Sequence, residues 1–540
     1  MKNSRYLIYI IISGLFMWSC TQEEEDVLTN PDFTPTTPIP PPSAGSANFT
    51  KFVAVGNSLI AGFQAAALFD EGQANSLAVI LNASFQSVGG GDFNQPGINS
   101  ENGFNSTFSD PLNGIILGRL VLFDGDGDPE TTPLPTPAGA PGVPAPFNTA
   151  DLIGPRTDTL PLNNFGVPGA RVLDAVFPGY ATLNPFFGRF ASTPAATIVG
   201  DAATAQGTFF MMWLGNNDVL GYATAGAAGP DAETDGPAFE ADPDFATITL
   251  TSIASFTAAF QGALGAMTLD PTNNGVVANI PDVTDIPFFT TVTWDAIEFD
   301  ENDPVDAATI AALNSITAFG GFNASLDGLV LAGVLTQDDA DSRKVVFANG
   351  DNSILIEDEE LADISAALST INPALAIYGQ ARQATAADLI TLSAGSVLGT
   401  LADPNDPTTA IGVAVPLEDQ YVLIPSEIDR ILTRTSTFNM IISDAISLLG
   451  VSDRVALTDM NKAFSDLTAA GGGFVNGVLI APSFAPPAGL FSEDGVHPNS
   501  RGYAYAAQFV IEAINAKFGA TIPMPSIANY AGTGLPLMAQ

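Results

Sequence analysis

The chain holds a single histidine, His497, so any chemistry that needs an imidazole must happen there. It stands in Asp494-Gly495-Val496-His497-Pro498, three residues after a carboxylate and just before a helical pattern. A carboxylate that fixes the tautomer of an imidazole makes it a general base able to activate a hydroxyl. Alone, an Asp-x-x-His is equally a capped surface turn. A hydroxyl for such a base stands in Gly56-Asn57-Ser58-Leu59, which follows an apolar run. Gly56 permits a tight turn, and Ser58 would sit at a helix N-terminus, where backbone N–H groups favour developing negative charge. Alone, Ser58 reads as an N-cap. Gly215-Asn216-Asn217-Asp218 follows a second apolar run, and an asparagine amide can donate to a developing oxyanion. Asn164-Phe165-Gly166-Val167-Pro168-Gly169-Ala170 could expose a backbone N–H at Gly169. Taken singly, the first of these is also a polar turn and the second a simple loop.

Positioning these groups requires strands that end where they begin. Four apolar runs read as buried parallel strands: Phe52–Val55, Phe209–Leu214, Val276–Ile280 and Arg454–Leu457. A weaker strand is expected through Leu160 to Asn164. Helical patterns fall at Ile60–Phe69, Thr247–Met267, Glu427–Leu449 and Gly502–Lys517. Strands alternating with helices predict an α/β, doubly wound sheet, whose ligands bind at the carboxyl ends of the strands. A Gly/Pro/Asn-rich stretch at 87–158 reads as an elaborated loop. Residues 290–425, with helix-like segments at Ala307–Gly320 and Glu357–Leu368, read as an inserted cap or subdomain.

Together and in this order, the four segments resemble the four sequence blocks of the SGNH/GDSL hydrolase family. The resemblance implies a three-layer, flavodoxin-like α/β fold and a serine ester hydrolase. Carried over by position, it makes Ser58 the nucleophile and Asp494 and His497 the rest of a triad. It makes the Ser58 backbone, Gly169 and Asn217 the oxyanion hole. Asn57 departs from the family pattern, which has Asp there; this bears on the positioning of Ser58. Ile280-Pro281-Asp282-Val283 looks like the strand end that precedes a Pro-containing loop in the family. The resemblance covers about half of the chain and leaves the insert at 290–425 unexplained.

Acidic residues number 58 against 16 Lys and Arg, a net charge of −42 over 540 residues. That balance excludes a phosphate-binding, nucleic-acid surface. One histidine and one cysteine exclude zinc sites built from several such ligands. The reaction needs no metal or organic cofactor. Asp124-Gly125-Asp126-Gly127-Asp128 resembles part of a calcium loop, with Pro129 where a glycine is needed. Lys2 and Arg5 precede an apolar run to Trp18, and Ser19-Cys20 follows. Residues 1–19 therefore read as a bacterial lipoprotein signal peptide, with Cys20 the lipidated residue. The acidic run Glu23–Asp26 resembles a surface-export signal, and 20–48 reads as an acidic, Pro/Thr-rich tether. The folded domain is expected over 49–520, with an irregular tail at 521–540. These readings place the chain on the outer membrane of a Gram-negative bacterium, held by its lipid alone. Its 36 phenylalanines, with pairs at Phe186-Phe187 and Phe288-Phe289, suit core packing or an acyl pocket. The expected substrate is an acyl or lipid ester. Acetylated polysaccharide, or ligand binding without turnover, is the alternative.

Overall fold

Five short segments pair into one all-parallel sheet: β1 (Phe52–Gly56), β2 (Asn164–Gly166), β3 (Phe209–Trp213), β4 (Asn274–Ala278) and β5 (Val455–Thr458). Their order in space is β5-β4-β3-β1-β2. The architecture comes from a computed structural model that describes residues 40–105, 117–125, 133–144, 153–154, 156 and 158–539. All of β1 and β3 is buried, as central parallel strands are covered on both faces. From the other edge the order is 2-1-3-4-5, a doubly wound sheet whose winding reverses between β1 and β3. Crossovers on either side of that reversal lie on opposite faces, so the carboxyl ends of β1 and β3 flank a crevice.

Helices cover both faces. After β1 come a single turn, α1 (Ser58–Ala61), and α2 (Leu77–Gln86). Next are α3 (Val172–Val176), α4 (Ile198–Thr204), α5 (Asn217–Thr224) and α6 (Ile253–Met267). The last are α7 (Pro425–Leu448), α8 (Met460–Ala469) and α9 (Ser500–Phe518). Helices α2 and α9 pack together on one face, while α6 packs against α3, α4 and α7 on the other. Helix α6 starts where the Ser252 hydroxyl accepts from the Ser255 N–H. Its buried Phe256, Ala259, Phe260, Ala263, Leu264 and Met267 recur at helical spacing. Phe256 stacks on Phe438 of α7 with ring centres 3.7 Å apart. Burying each such ring contributes roughly 1.5–3 kcal/mol.

Several expectations shift. The helix expected over Ile60–Phe69 ends at Ala61: Gly62 is left-handed, and Ala65 and Ala66 have φ of 51° and 57°. The strand expected over Leu160–Asn164 lies at Asn164–Gly166 instead. Glu357 ends a strand, Leu355–Glu357, and the helix nearby is Ser365–Ile371. The helix-like stretch from Ala307 to Gly320 splits into Pro304–Leu313 and Phe319–Leu331. The folded unit runs from Ser43 rather than Phe49; Ser46 N–H donates to the Phe518 carbonyl at the end of α9. The tail is not wholly irregular, because Leu537–Met538 pairs in parallel with Leu120–Asp124. The leader, Cys20 and the tether up to residue 39 lie outside the described residues, as do Asp126 and Asp128.

The insert has apolar cores of its own. Phe319, Phe322, Leu326, Phe347 and Leu368 anchor one, and Ile354, Ile356, Ile390 and Val422 anchor another. Arg343, wholly buried, donates to the carbonyls of Gly379 and Ala362. No helix among the described residues is long and apolar enough to cross a membrane.

Candidate active site

Ser58 and His497 lie 439 positions apart, and the fold brings them into one hydrogen bond. Ser58 heads α1, just past the carboxyl end of β1. His497 lies in the turn before α9, a helix capped by Asn499, whose side chain accepts from Gly502 N–H. His497 Nε2 lies 2.9 Å from Ser58 Oγ, and His497 Nδ1 lies 2.9 Å from Asp494 Oδ2. With the proton on Nδ1, Nε2 is left to accept from the serine hydroxyl.

Donors surround Asp494. Its Oδ1 accepts from the backbone N–H of Val496 (2.9 Å) and His497 (2.8 Å), and its Oδ2 from that of Ala66 (2.8 Å). The Ser492 hydroxyl lies 3.1 Å from Oδ1 and 3.0 Å from the His497 carbonyl, with one proton to give. It accepts in turn from Ala65 N–H at 2.8 Å. Burial would raise the Asp494 carboxyl; the adjoining His497 and the N–H donors outweigh it and hold the group below the ordinary aspartate value. Aiming two successive N–H groups this way requires the left-handed conformations of Ala65 and Ala66, at about 1–2 kcal/mol each. Gly495 is also left-handed, and a Cβ there would stand 3.0 Å from Phe288 N. The Phe63 ring packs 4.9 Å from the imidazole, and the Tyr503 hydroxyl donates to the Phe63 carbonyl at 2.6 Å.

Asn57 joins two of the segments. Its Oδ1 accepts from Leu59 N–H (3.0 Å), and its Nδ2 donates to Asn216 Oδ1 (3.1 Å). An amide thus does both jobs, which an aspartate could not do with the same partners. Helix α1 is a single turn, so its dipole adds little; as a first helical residue, Ser58 still leaves its N–H outside the helical ladder.

Asn217 opens α5 beside the same crevice. One N–H of its amide donates to the Ala170 carbonyl at 3.0 Å, which fixes the plane of the group. Asp218 beside it is fully buried, accepting from Val172 N–H (2.8 Å) and the Thr251 hydroxyl (3.0 Å). Burial pushes its carboxyl up to about 7 despite those bonds. The pair thereby grips the loop that carries Gly169. Gly169 has a φ of 80°, and a Cβ there would meet only Asn184 Nδ2 within 4 Å.

Ser58, Asn217 and His497 line one cavity that opens to solvent, with Asp494 behind His497. Gly169 is not on its lining. Leu59, Leu220, Ile286, Phe464, Phe491 and Val496 supply apolar walls. The phenylalanine pairs do not: Phe186, Phe187 and Phe289 are buried in the core.

Ala65, Ala66 and Ser492 were not among the expected site residues. Alanine favours helix, so nothing in Gln64-Ala65-Ala66-Ala67 signals a left-handed turn. Asp218, by contrast, directly follows Asn217 in a segment already singled out. Among the described residues, Glu359, Asp419 and Glu427 are close enough to share a cation, with ligand atoms within 4.8 Å. They lie where the insert meets α7 and do not line the cavity that holds Ser58. No family model matches the chain, nor does any curated protein or solved structure.

Proposed function

We propose that the chain is a serine ester hydrolase of the SGNH/GDSL type, cleaving acyl esters through an acyl-enzyme. The observation that carries this reading is the unbroken Ser58–His497–Asp494 chain of hydrogen bonds at the wall of an apolar cavity.

In this reading His497 Nε2 takes the Ser58 proton as Oγ attacks the ester carbonyl. Asp494 keeps Nδ1 protonated and stabilises the imidazolium that forms. The Ser58 N–H and the free N–H of Asn217 hold the oxyanion, with Gly169 the third donor by family resemblance. His497 then protonates the leaving alkoxide. In the second half, water attacks the acyl-enzyme with His497 again the base, and Ser58 is released.

The run of apolar walls from Leu59 and Leu220 to Ile286, Phe464 and Phe491 supports an acyl arm longer than acetyl, which favours acyl or lipid esters over acetylated polysaccharide. Anchoring through lipid on Cys20, at the outer membrane, belongs to the same proposal and rests on the sequence motif. The test is turnover of p-nitrophenyl esters from acetate to palmitate. The expected result is hydrolysis by the wild-type protein, with an optimum beyond acetate, and none by Ser58→Ala. A folded wild-type protein that turns over no ester contradicts the proposal and favours a ligand-binding role.

A further inference from the structure

The cavity beside Ser58 is apolar over nearly all of its surface, and the acidic residues that adjoin it are matched by no basic one. Asp282 and Asp285 line it, and no lysine or arginine does. Both stand on the short turn that follows β4, where Asp282 Oδ1 accepts from Thr284 N–H (2.8 Å) and the Thr284 hydroxyl (2.6 Å). Neither carboxylate joins a salt bridge among the described residues. The Asp285 carboxyl is raised by its burial and then by the charge of Asp282, with a Ser465 hydrogen bond opposing; no cation takes part. The net charge of −42 supplies no compensating positive field.

We infer that Asp282 and Asp285 make the cavity selective for esters with an uncharged acyl arm and exclude those whose arm carries a carboxylate. The inference rests on the ester-hydrolase reading above and adds a substrate class to it. An apolar arm gains by leaving water along Leu59, Leu220, Ile286 and Phe464. An anionic arm must instead lose its hydration in a space lined by no lysine or arginine, with two like charges adjoining it. At an effective dielectric near that of a protein surface, one like charge about 6 Å away weakens binding on the order of 100-fold. Opening to solvent reduces this, so a total discrimination of about 10- to 100-fold is expected.

The experiment compares two p-nitrophenyl esters of equal carbon number on the full chain. These are the hexanoate, which is neutral, and the monoester of adipate, which ends in a carboxylate. The expected kcat/KM is at least tenfold lower for the adipate ester, and the gap narrows as salt is added, because partly exposed charges are screened. In the Asp282→Asn/Asp285→Asn double variant, the adipate-to-hexanoate ratio rises at least fivefold. Equal kcat/KM for the two esters in the wild-type protein overturns the inference while leaving the ester-hydrolase reading standing. So does a gap that neither salt nor the double variant changes. Should the double variant not fold, the salt series on wild type decides alone. Absence of turnover with either ester is a different result, which removes the ester-hydrolase reading and this inference together.

Discussion

At the corner that joins Ser58 and His497 a carboxylate is surrounded by donors; where the insert meets α7, three carboxylates are surrounded by one another. Asp494, with a side chain 9% exposed, has three backbone N–H groups, a nearby serine hydroxyl and an imidazole around its two oxygens. Its carboxyl sits below the ordinary range. Glu427 is 2% exposed and accepts one backbone N–H, from Ile424. Asp419 Oδ1 is buried with no partner, and Glu359 stands close to both. Burial, and then the neighbouring acids, raise Asp419 and Glu427 well above the usual carboxylate range. Burial alone therefore does not decide whether an acid is charged in this protein: Asp494 is held low first by the adjoining His497 and then by its N–H donors, whereas Asp218, with two donors and no imidazole beside it, is raised. The proposed triad needs its aspartate ionised while it is shielded from water, and the Ala65-Ala66 turn contributes to that.

The largest way to break the comparison is to remove the charge at the donor-rich corner. Asp494→Asn keeps the shape and takes away the anion, so kcat is expected to fall about 10⁴-fold with the fold intact by circular dichroism. A loss under tenfold would mean that Asp494 does not hold the imidazole for catalysis. Removing the amide across the cavity is next: Asn217→Ala is expected to lower kcat about 10²- to 10³-fold while KM moves little. A change confined to KM would place Asn217 in ground-state binding instead. Ser492→Ala probes the donors themselves. It leaves the Ala65 N–H buried without its acceptor, so a loss of roughly 1–3 kcal/mol in unfolding free energy is expected, with a smaller fall in kcat.

The smallest effect is on the other side. Glu427→Gln mimics the protonated acid and should leave turnover unchanged. Folded Glu427 holds its proton above the pH at which the unfolded chain releases it. Wild-type stability therefore falls as pH rises from the ordinary glutamate range toward the raised value. The variant lacks that term, so its stability relative to wild type should grow by about 1 kcal/mol or more between pH 5 and pH 8, read from urea midpoints. Asp494 has the opposite sign: its contribution is present above the ordinary aspartate value and is lost as pH falls through its lowered one. Parallel pH curves for wild type and Glu427→Gln would show that the acids at the insert are not held protonated.

The parts of the fold legible in the sequence are those where burial writes itself as composition. Phe52–Val55 and Phe209–Leu214 are apolar throughout because central parallel strands have no solvent face. Strand β2 is not legible at its true place, because its order depends on polar residues. Asn163 and Asn164 are buried, their amides donating to the carbonyls of Phe52 and Ile60. The helix expected past Ala61 failed where tertiary donors override propensity, since Ala65 and Ala66 serve Ser492 and Asp494 rather than a helical ladder. Ser58, Asn217, Asp494 and His497 were each visible as a residue type after a strand or before a helix. The gripping of the Gly169 loop by Asn217 and Asp218 needs distances that no spacing encodes.

The central claim is that Ser58 is a nucleophile activated by His497. A fluorophosphonate probe tests it without choosing a substrate: the serine oxygen attacks phosphorus, fluoride leaves, and one phosphonyl group is added. Intact and peptide mass spectrometry should find one adduct per chain, on Ser58, in the wild-type protein, and none in Ser58→Ala or His497→Ala. A folded wild-type protein that takes no adduct, or takes it on another residue, would contradict the account.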